Sequence, residues 1–240
     1  MQGKRSRSGL LPNGLVILYE DRDILVVDKP AGLLTVGTER DKSRTAYFIL
    51  TDYVRKGCAH SRNRVFVVHR LDRETSGVLV FATSQEAKLR LQGEWSETRK
   101  TYLAVVHGRC EKSQETITTY LAENRAQVVY STSDPAKGKL SRTAYKVLKQ
   151  TKEFALLEVD LLTGRKNQIR VHLAGIGHPV VGDRKYGSAK ESWSRLALHA
   201  RSISFKHPFS GRHLTLVARV PGHFHKLIGS IAHQGDPPSR

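Results

Sequence analysis

Between two short apolar runs, Val65-Phe66-Val67-Val68 and Val78-Leu79-Val80-Phe81-Ala82, lie the nine residues His69-Arg70-Leu71-Asp72-Arg73-Glu74-Thr75-Ser76-Gly77, five of them ionisable. A polar loop carried on two strands is a favoured place for catalytic groups, because the scaffold fixes their positions while the loop reaches substrate. Within it Asp72 has arginines at positions 70 and 73. A cationic setting lowers a carboxylate pKa and keeps the group ionised, poised as a nucleophile or a general base. The competing reading is a solvated turn with local ion pairs.

Strand patterns dominate the elements that must position this loop. They cover Val16 to Tyr19, Ile24 to Asp28, Val65 to Val68, Val78 to Ala82, Tyr102 to His107, Val128 to Tyr130, Ala144 to Leu148 and Phe154 to Leu162. In the last, Ala155, Leu157, Val159 and Leu161 alternate with Leu156, Glu158 and Asp160, which gives one apolar and one mixed face. Helical spacing appears at Ala46, Ile49, Leu50, Tyr53 and Val54, with Gly57 as a stop. Two further helices are expected from Ser84 to Trp95 and from Asn167 to Ala174. Strands without regularly alternating crossover helices predict α+β rather than a parallel α/β sheet. A single domain is expected from residue 15 to 233, between a basic flexible arm (1–14) and a flexible tail (234–240).

The nine-residue loop resembles the H-R-L-D-x-x-T-S-G signature of the RluA-type pseudouridine synthases, with every fixed position matched. Arg99-Lys100-Thr101-Tyr102 is similar to the family segment that supplies an active-site tyrosine, and Leu162-Thr163-Gly164-Arg165-Lys166-Asn167-Gln168-Ile169-Arg170-Val171-His172 to its T-G-R-x-x-Q-I-R-V-H block. Gly177 to Asp183 and Leu196 to Ala200 also resemble family segments, so the likeness runs from about residue 15 to about residue 222.

The resemblance implies a pseudouridine synthase core: a long mixed, largely antiparallel sheet flanked by helices and loops, with a central basic cleft. The implied activity converts uridine in structured RNA, ribosomal or transfer, to pseudouridine without a metal or cofactor. Asp72 would be the essential carboxylate, acting on the ribose or as a base at its 2′ position. Tyr102 would stack on the target base, its competing reading being a strand tyrosine in the core. Arg170 would pair with Asp72, its competing reading being an exposed helix arginine on phosphate. Arg70 would enter the RNA as the uridine flips out, since a stacked base cannot be turned in place. His69, Arg73, Lys100, Arg165, Lys166, Gln168 and His172 complete the implied RNA-binding set. Glu74 matches no fixed position and is not counted as a partner carboxylate; a delocalised uracil anion leaves without the general acid that glycosidases supply. The chain departs from the family at Lys166-Asn167, where Thr or Ser followed by His is usual. There Asn167 is expected to cap the following helix. With about 14 residues ahead of the first strand, recognition is expected to rest on the catalytic domain and its arm.

Charge supports the RNA reading. Forty Lys plus Arg against 22 Asp plus Glu give +18, spread from Lys4 to Arg240 among apolar segments rather than gathered in one tail. Such a surface neutralises phosphates and releases counterions. A hydrophobic fraction of 39% excludes wholesale disorder. No apolar run approaches the roughly 18 residues of a membrane span, and neither a myristoylation nor a prenylation motif is present. Two cysteines, Cys58 and Cys110, make neither a disulfide framework nor a four-sulfur metal site, which fits a reducing, cytoplasmic compartment. Gly175-Ile176-Gly177 lacks the third glycine of a dinucleotide fingerprint, and Cys58-Ala59-His60 with His223-Phe224-His225 lacks the spacing of a zinc module. A monomer is expected. A non-catalytic RNA-binding or ribosome-assembly protein on the same fold is the alternative, opposed by the intact Asp72, Tyr102 and Arg170. A nucleosidase or glycoside hydrolase would not need this charge.

Overall fold

The computed structural model describes residues 9–37, 43–58, 60–187 and 192–231. In chain order its elements are β1 (Val16–Glu20), β2 (Ile24–Lys29), α1 (Ala46–Arg55), β3 (Phe66–Val67), β4 (Ser76–Ala82), α2 (Gln85–Gly93), β5 (Arg99–His107) and β6 (Gln114–Glu123). They continue with β7 (Val129–Thr132), β8 (Lys139–Gln150), β9 (Phe154–Leu161), α3 (Gln168–Gly175), β10 (Leu198–Lys206), β11 (His213–Val217) and α4 (Gly222–Ile228). Strands outnumber helices, and the pairs β1–β2, β2–β4, β3–β4, β10–β11, β5–β9, β9–β8, β8–β6 and β6–β7 are antiparallel, so the fold is the expected α+β.

The described residues fall into two compact units, one made of the chain up to Thr98 with Ala200–Arg219 and the other of Arg99–His199 with the chain from Val220. Most of residues 1–14 and the whole 234–240 tail lie outside the described residues. Of the expected arm, Gly9 to Gly14 is ordered: Leu10 bridges Val16, and a short 3-10 turn spans Pro12–Gly14.

In the first unit the strand order is β1-β2-β4-β10, with β3 on β4 and β11 on β10. β2 and β4 pair from Ile24↔Ala82 to Lys29↔Gly77. β4 is buried along its whole length, as its unbroken apolar run requires. Ile24, Val26, Val78, Val80, Ile203 and Phe205 form a core with Ala87 and Leu91 of α2. Thr45 caps α1 by accepting from Phe48 N at 3.1 Å, and Ser84 caps α2 by accepting from Ala87 N at 3.1 Å. Helix α1 ends on Lys56 (φ 52°) and Gly57 (φ 73°), the left-handed exit that the glycine permits.

In the second unit the order is β5-β9-β8-β6-β7. β9 pairs on both edges, with β5 and β8, and carries α4 against it; Ala155, Leu156, Leu157 and Val159 are all buried, so the expected two-faced alternation survives only toward its end. Helix α3 packs on β6, β7 and β8, and α4 on β5 and β9.

Candidate active site

The structure fixes the backbone on both sides of Asp72. Thr35, 2% exposed, donates its hydroxyl to Leu71 O at 2.9 Å and accepts from Leu71 N at 3.2 Å, so one side chain acts as a strand partner. Arg73 O accepts from Gly32 N at 2.8 Å and from the Lys29 ammonium at 3.1 Å. Lys29 also donates to Pro30 O and Leu33 O, at 2.9 and 2.8 Å. Although Lys29 is fully buried, these three carbonyls use all three of its protons. Burial pushes its pKa down to about 8, a shift that the carboxylates of Glu74, Asp72 and Asp28 oppose. Thus Lys29 to Thr35, the chain leaving β2, clamps residues 71 and 73 and presents Asp72, half-buried, between them.

Gly77 ends the loop at φ 114°, where a Cβ would lie 2.2 Å from Ala200 O; only glycine fits there. Asp28, near the end of β2, is pushed up to about 6 by burial, against the pull of Lys29, Arg201 and Arg219.

Of the other loop residues expected to bind RNA, Arg70 and Arg73 are exposed. Arg73 donates from Nε to Gly32 O at 3.1 Å, and that nitrogen lies 3.6 Å from Glu74 Oε1. His69 has a structural part: its Nε2 accepts from Val80 N at 3.1 Å, and its ring lies 4.8 Å from that of Trp95.

In the second unit Tyr102 lies on β5 opposite Val159 and is 8% exposed. Two residues earlier Lys100 is half-buried, and desolvation lowers its pKa. Arg170, on α3, is gripped by Asp183 through two bonds of 2.7 Å, Nε to Oδ2 and Nη2 to Oδ1. Burial alone would raise the Asp183 carboxyl; the Arg170 bonds and the N–H groups of Tyr186 and Lys185 outweigh it and hold the pKa below the ordinary value. The Arg170 guanidinium also donates to Asn167 Oδ1 at 3.3 Å and sits 5.1 Å over the Tyr186 ring. Asp183 is thus a partner of Arg170 that sequence reasoning missed.

Three expectations need correction. Gln168, 2% exposed, spends its amide on Thr163, Arg165 N, Arg142 O and Thr143, and so stitches the turn before α3 to β8. His172, 1% exposed, lies between Thr119 (3.0 Å) and Thr143 (2.9 Å); burial lowers its pKa to about 4 and keeps it neutral. Neither side chain is open to RNA. Positions i and i+4 of a helix share a face, and in α3 that face is the buried one. Asn167 precedes α3 in a left-handed conformation (φ 55°) and makes no capping bond; its amide donates to the Tyr186 hydroxyl at 3.0 Å instead. Arg165 and Lys166 are exposed, and Lys166 pairs with Glu123.

Among the described residues, Asp21, Asp23 and His207 place ligand-type atoms within 4.8 Å of one another. They do not suit a metal. His207 Nδ1 accepts from Phe209 N (3.3 Å) and Ser210 N (3.1 Å), which leaves Nε2 protonated and donating to Asp21 Oδ2 at 3.0 Å. The other Asp21 oxygen takes Asp23 N and Ile24 N, each at 2.9 Å. The cluster is a polar tie from the β1–β2 turn to the segment that follows β10.

The family model for RNA pseudouridylate synthases matches residues 23–175, from the start of β2 through α3. The chain belongs to that family. It is an isomerase acting on RNA, and the signature loop, the tyrosine of β5 and the arginine of α3 all lie within the matched span. An RNA pseudouridine synthase of Mycoplasma genitalium, MG209, is 34% identical over 223 residues, covering 90% of this chain and 70% of the relative. The tRNA pseudouridine synthase C of Vibrio parahaemolyticus is 32% identical over 254 residues, covering 91% and 96%. The ribosomal large subunit pseudouridine synthase C of Rickettsia bellii is 34% identical over 217 residues, covering 88% and 70%. Among solved structures, human RNA Pseudouridylate Synthase Domain Containing 4 superposes with a TM-score of 0.74 at 25% identity, covering 87% of this chain and 89% of that one. Among the described residues no helix is long and apolar enough to cross a membrane.

Proposed function

We propose that Asp72 is the catalytic carboxylate of this RNA pseudouridine synthase and that its substrate is structured RNA, ribosomal or transfer, in the cytoplasm. The observation that carries the proposal is the double clamp on its neighbours: Thr35 holds Leu71, while Lys29 and Gly32 hold Arg73. A group so held reaches its target with its orientation set in advance, which lowers the entropic cost of attack. The N-glycosidic bond of the target uridine breaks, uracil leaves as a delocalised anion and turns, C5 bonds to C1′, and the C5 proton is lost. Asp72 serves either as the nucleophile on the ribose or as the base at its 2′ position.

The roles of Tyr102 as stacking partner of the target uracil and of Arg170 as the cation that steadies the carboxylate rest on the likeness of their sequence blocks to the family. Exposed Arg70, Arg73, Arg165 and Lys166, with the half-buried Lys100, supply cations for phosphate, and the +18 charge supplies the long-range attraction. Both ribosomal and transfer RNA are in view because relatives carry both names.

The test is tritium release from C5-labelled uridine in separate ribosomal and transfer RNA preparations. Native protein should release label from one of them, and Asp72→Asn, which keeps shape but loses charge, from neither, with RNA binding nearly intact. Full activity in a folded Asp72→Asn protein would remove Asp72 from the chemistry.

A further inference from the structure

At the opposite end of the β2–β4 pair from Asp72 the first unit has an open groove of about 590 Å³. Its wall includes Arg22, just before β2, and Ser84, just after β4, whereas the catalytic loop precedes β4. Seven strand residues at roughly 3.3 Å each put about 20 Å between the two ends. The volume falls in the range of small-ligand sites.

The chemistry of the wall is specific. Phe209 is 43% exposed, and the Arg90 guanidinium lies 4.5 Å over its ring. Arg64 lies 5.1 Å over the Phe66 ring, an aromatic contact that restrains its exposed side chain at the rim. Two carboxylates also face the groove, and both have neighbours of their own. Glu86 Oε1 takes both Nη2 and Nε of Arg90, at 2.9 and 3.2 Å, and Asp23 lies 3.9 Å from His207 Nε2. Arg22 and Arg64 remain as exposed wall cations beside the exposed ring. An aromatic platform beside exposed guanidiniums takes a base and its phosphate, the arrangement used for single-stranded nucleic acid.

We propose that this groove is a second RNA contact, where an unpaired nucleotide outside the target site stacks its base on Phe209 and sets its phosphate between Arg22 and Arg64. The proposal rests on the RNA-modifying reading above, and it extends the RNA footprint beyond the catalytic loop. The same nucleoside-phosphate chemistry is offered by a free mononucleotide, but the net charge of the chain favours the polymer.

The experiment is a binding titration of the full-length protein with transfer RNA and with ribosomal RNA over a series of salt concentrations. Phe209→Ala should weaken binding about tenfold, as expected for one lost base stack, and Phe209→Tyr should restore it. The double variant Arg22→Gln/Arg64→Gln should lower the slope of log affinity against log salt by about 0.7, from one lost single-strand phosphate contact, with an unchanged melting temperature. Uridine monophosphate at millimolar concentration should not displace the RNA. Native affinity and native salt slope in all variants would overturn the proposal. So would variants that lose binding of uridine monophosphate, or of polyglutamate as an acidic-protein probe, while RNA binding stays native. Binding requires no turnover, so absence of tritium release would count against the catalytic reading and leave this measurement decisive for the groove.

Discussion

Replacing Asp183 by Asn removes one charge from the second unit without changing its shape. The Arg170 side chain is 11% exposed and that of Asp183 0%, so the guanidinium would lose the Asp183 counter-charge in a largely buried setting. Oδ1 would still accept from Lys185 N and Tyr186 N, at 2.9 and 3.0 Å, but the new amide N–H group would face the Arg170 donors. Breaking a buried pair by neutralising one partner costs about 3–5 kcal/mol. Typical domains have only about 5–15 kcal/mol in all.

The pH dependence fixes the sign. The folded pKa of Asp183 is depressed, so the stability it contributes is fully present above its unfolded value and is lost as pH falls through the folded one. The gap between native protein and variant should therefore be constant from neutral pH down to about pH 5 and narrow below about pH 4. Urea unfolding followed by fluorescence of Trp193, which lies in the same unit as Asp183, measures the gap, with Trp95 reporting the first unit. Tritium release should fall as well, because Arg170 would lose the two-bond grip of Asp183 that orients it. A variant within about 1 kcal/mol of native stability, with native turnover, would show that the Arg170–Asp183 pair neither stabilises the unit nor positions the arginine.

Lys29→Met would remove one of the two donors, and the only charged one, that hold the Arg73 carbonyl beside Asp72. Turnover should drop by about a hundredfold, the scale of a 1 Å misplacement, in a protein that still binds RNA; single-turnover tritium release measures it. In the native protein the same clamp should weaken as pH rises through about 8, where the neutral amine has too few protons for three carbonyls. Gly77→Ala would drive a Cβ into the Ala200 backbone at a positive φ, and thermal unfolding should show either no folded protein or a loss of several kcal/mol. Because His172 stays neutral down to about pH 4, acid should remove up to about 3 kcal/mol between its unfolded value near 6.5 and that point, a slope that His172→Phe abolishes in urea titrations.

The sequence by itself determined the strands with continuous or alternating apolar runs: β1, β2, β4, β5 and β9 begin and end within a few residues of the patterns read from it. Helices α1 and α2 carry local start signals, Thr45 and Ser84, that act through bonds three residues away, so they too were legible. β6 was not. Only Ile117 and Leu121 of its ten residues are buried, and a strand this polar shows no alternation. β10, β11 and α4 were missed as well: His199, Arg201, Ser202 and Ser204 break up the apolar residues of β10, and β11 and α4 bury only one and three residues. The signature loop, and Asp72 within it, was legible because nine ordered residues are specific on their own.

What holds that loop was decided only by tertiary structure. Lys29 reaches Arg73 across 44 residues, and Thr35 reaches Leu71 across 36. The one local trace was a lysine closing the otherwise apolar Ile24–Lys29 strand. Asp183 was in view as part of a family segment, but its grip on Arg170 spans 13 residues and a turn. Gln168 and His172 went the other way. Their polar identities suggested RNA, but burial, which depends on what the rest of the chain packs against α3, turned both inward. Pattern in the sequence encodes which residues carry chemistry; which of them face a substrate, and which hold the others still, follows from contacts between residues far apart in the chain.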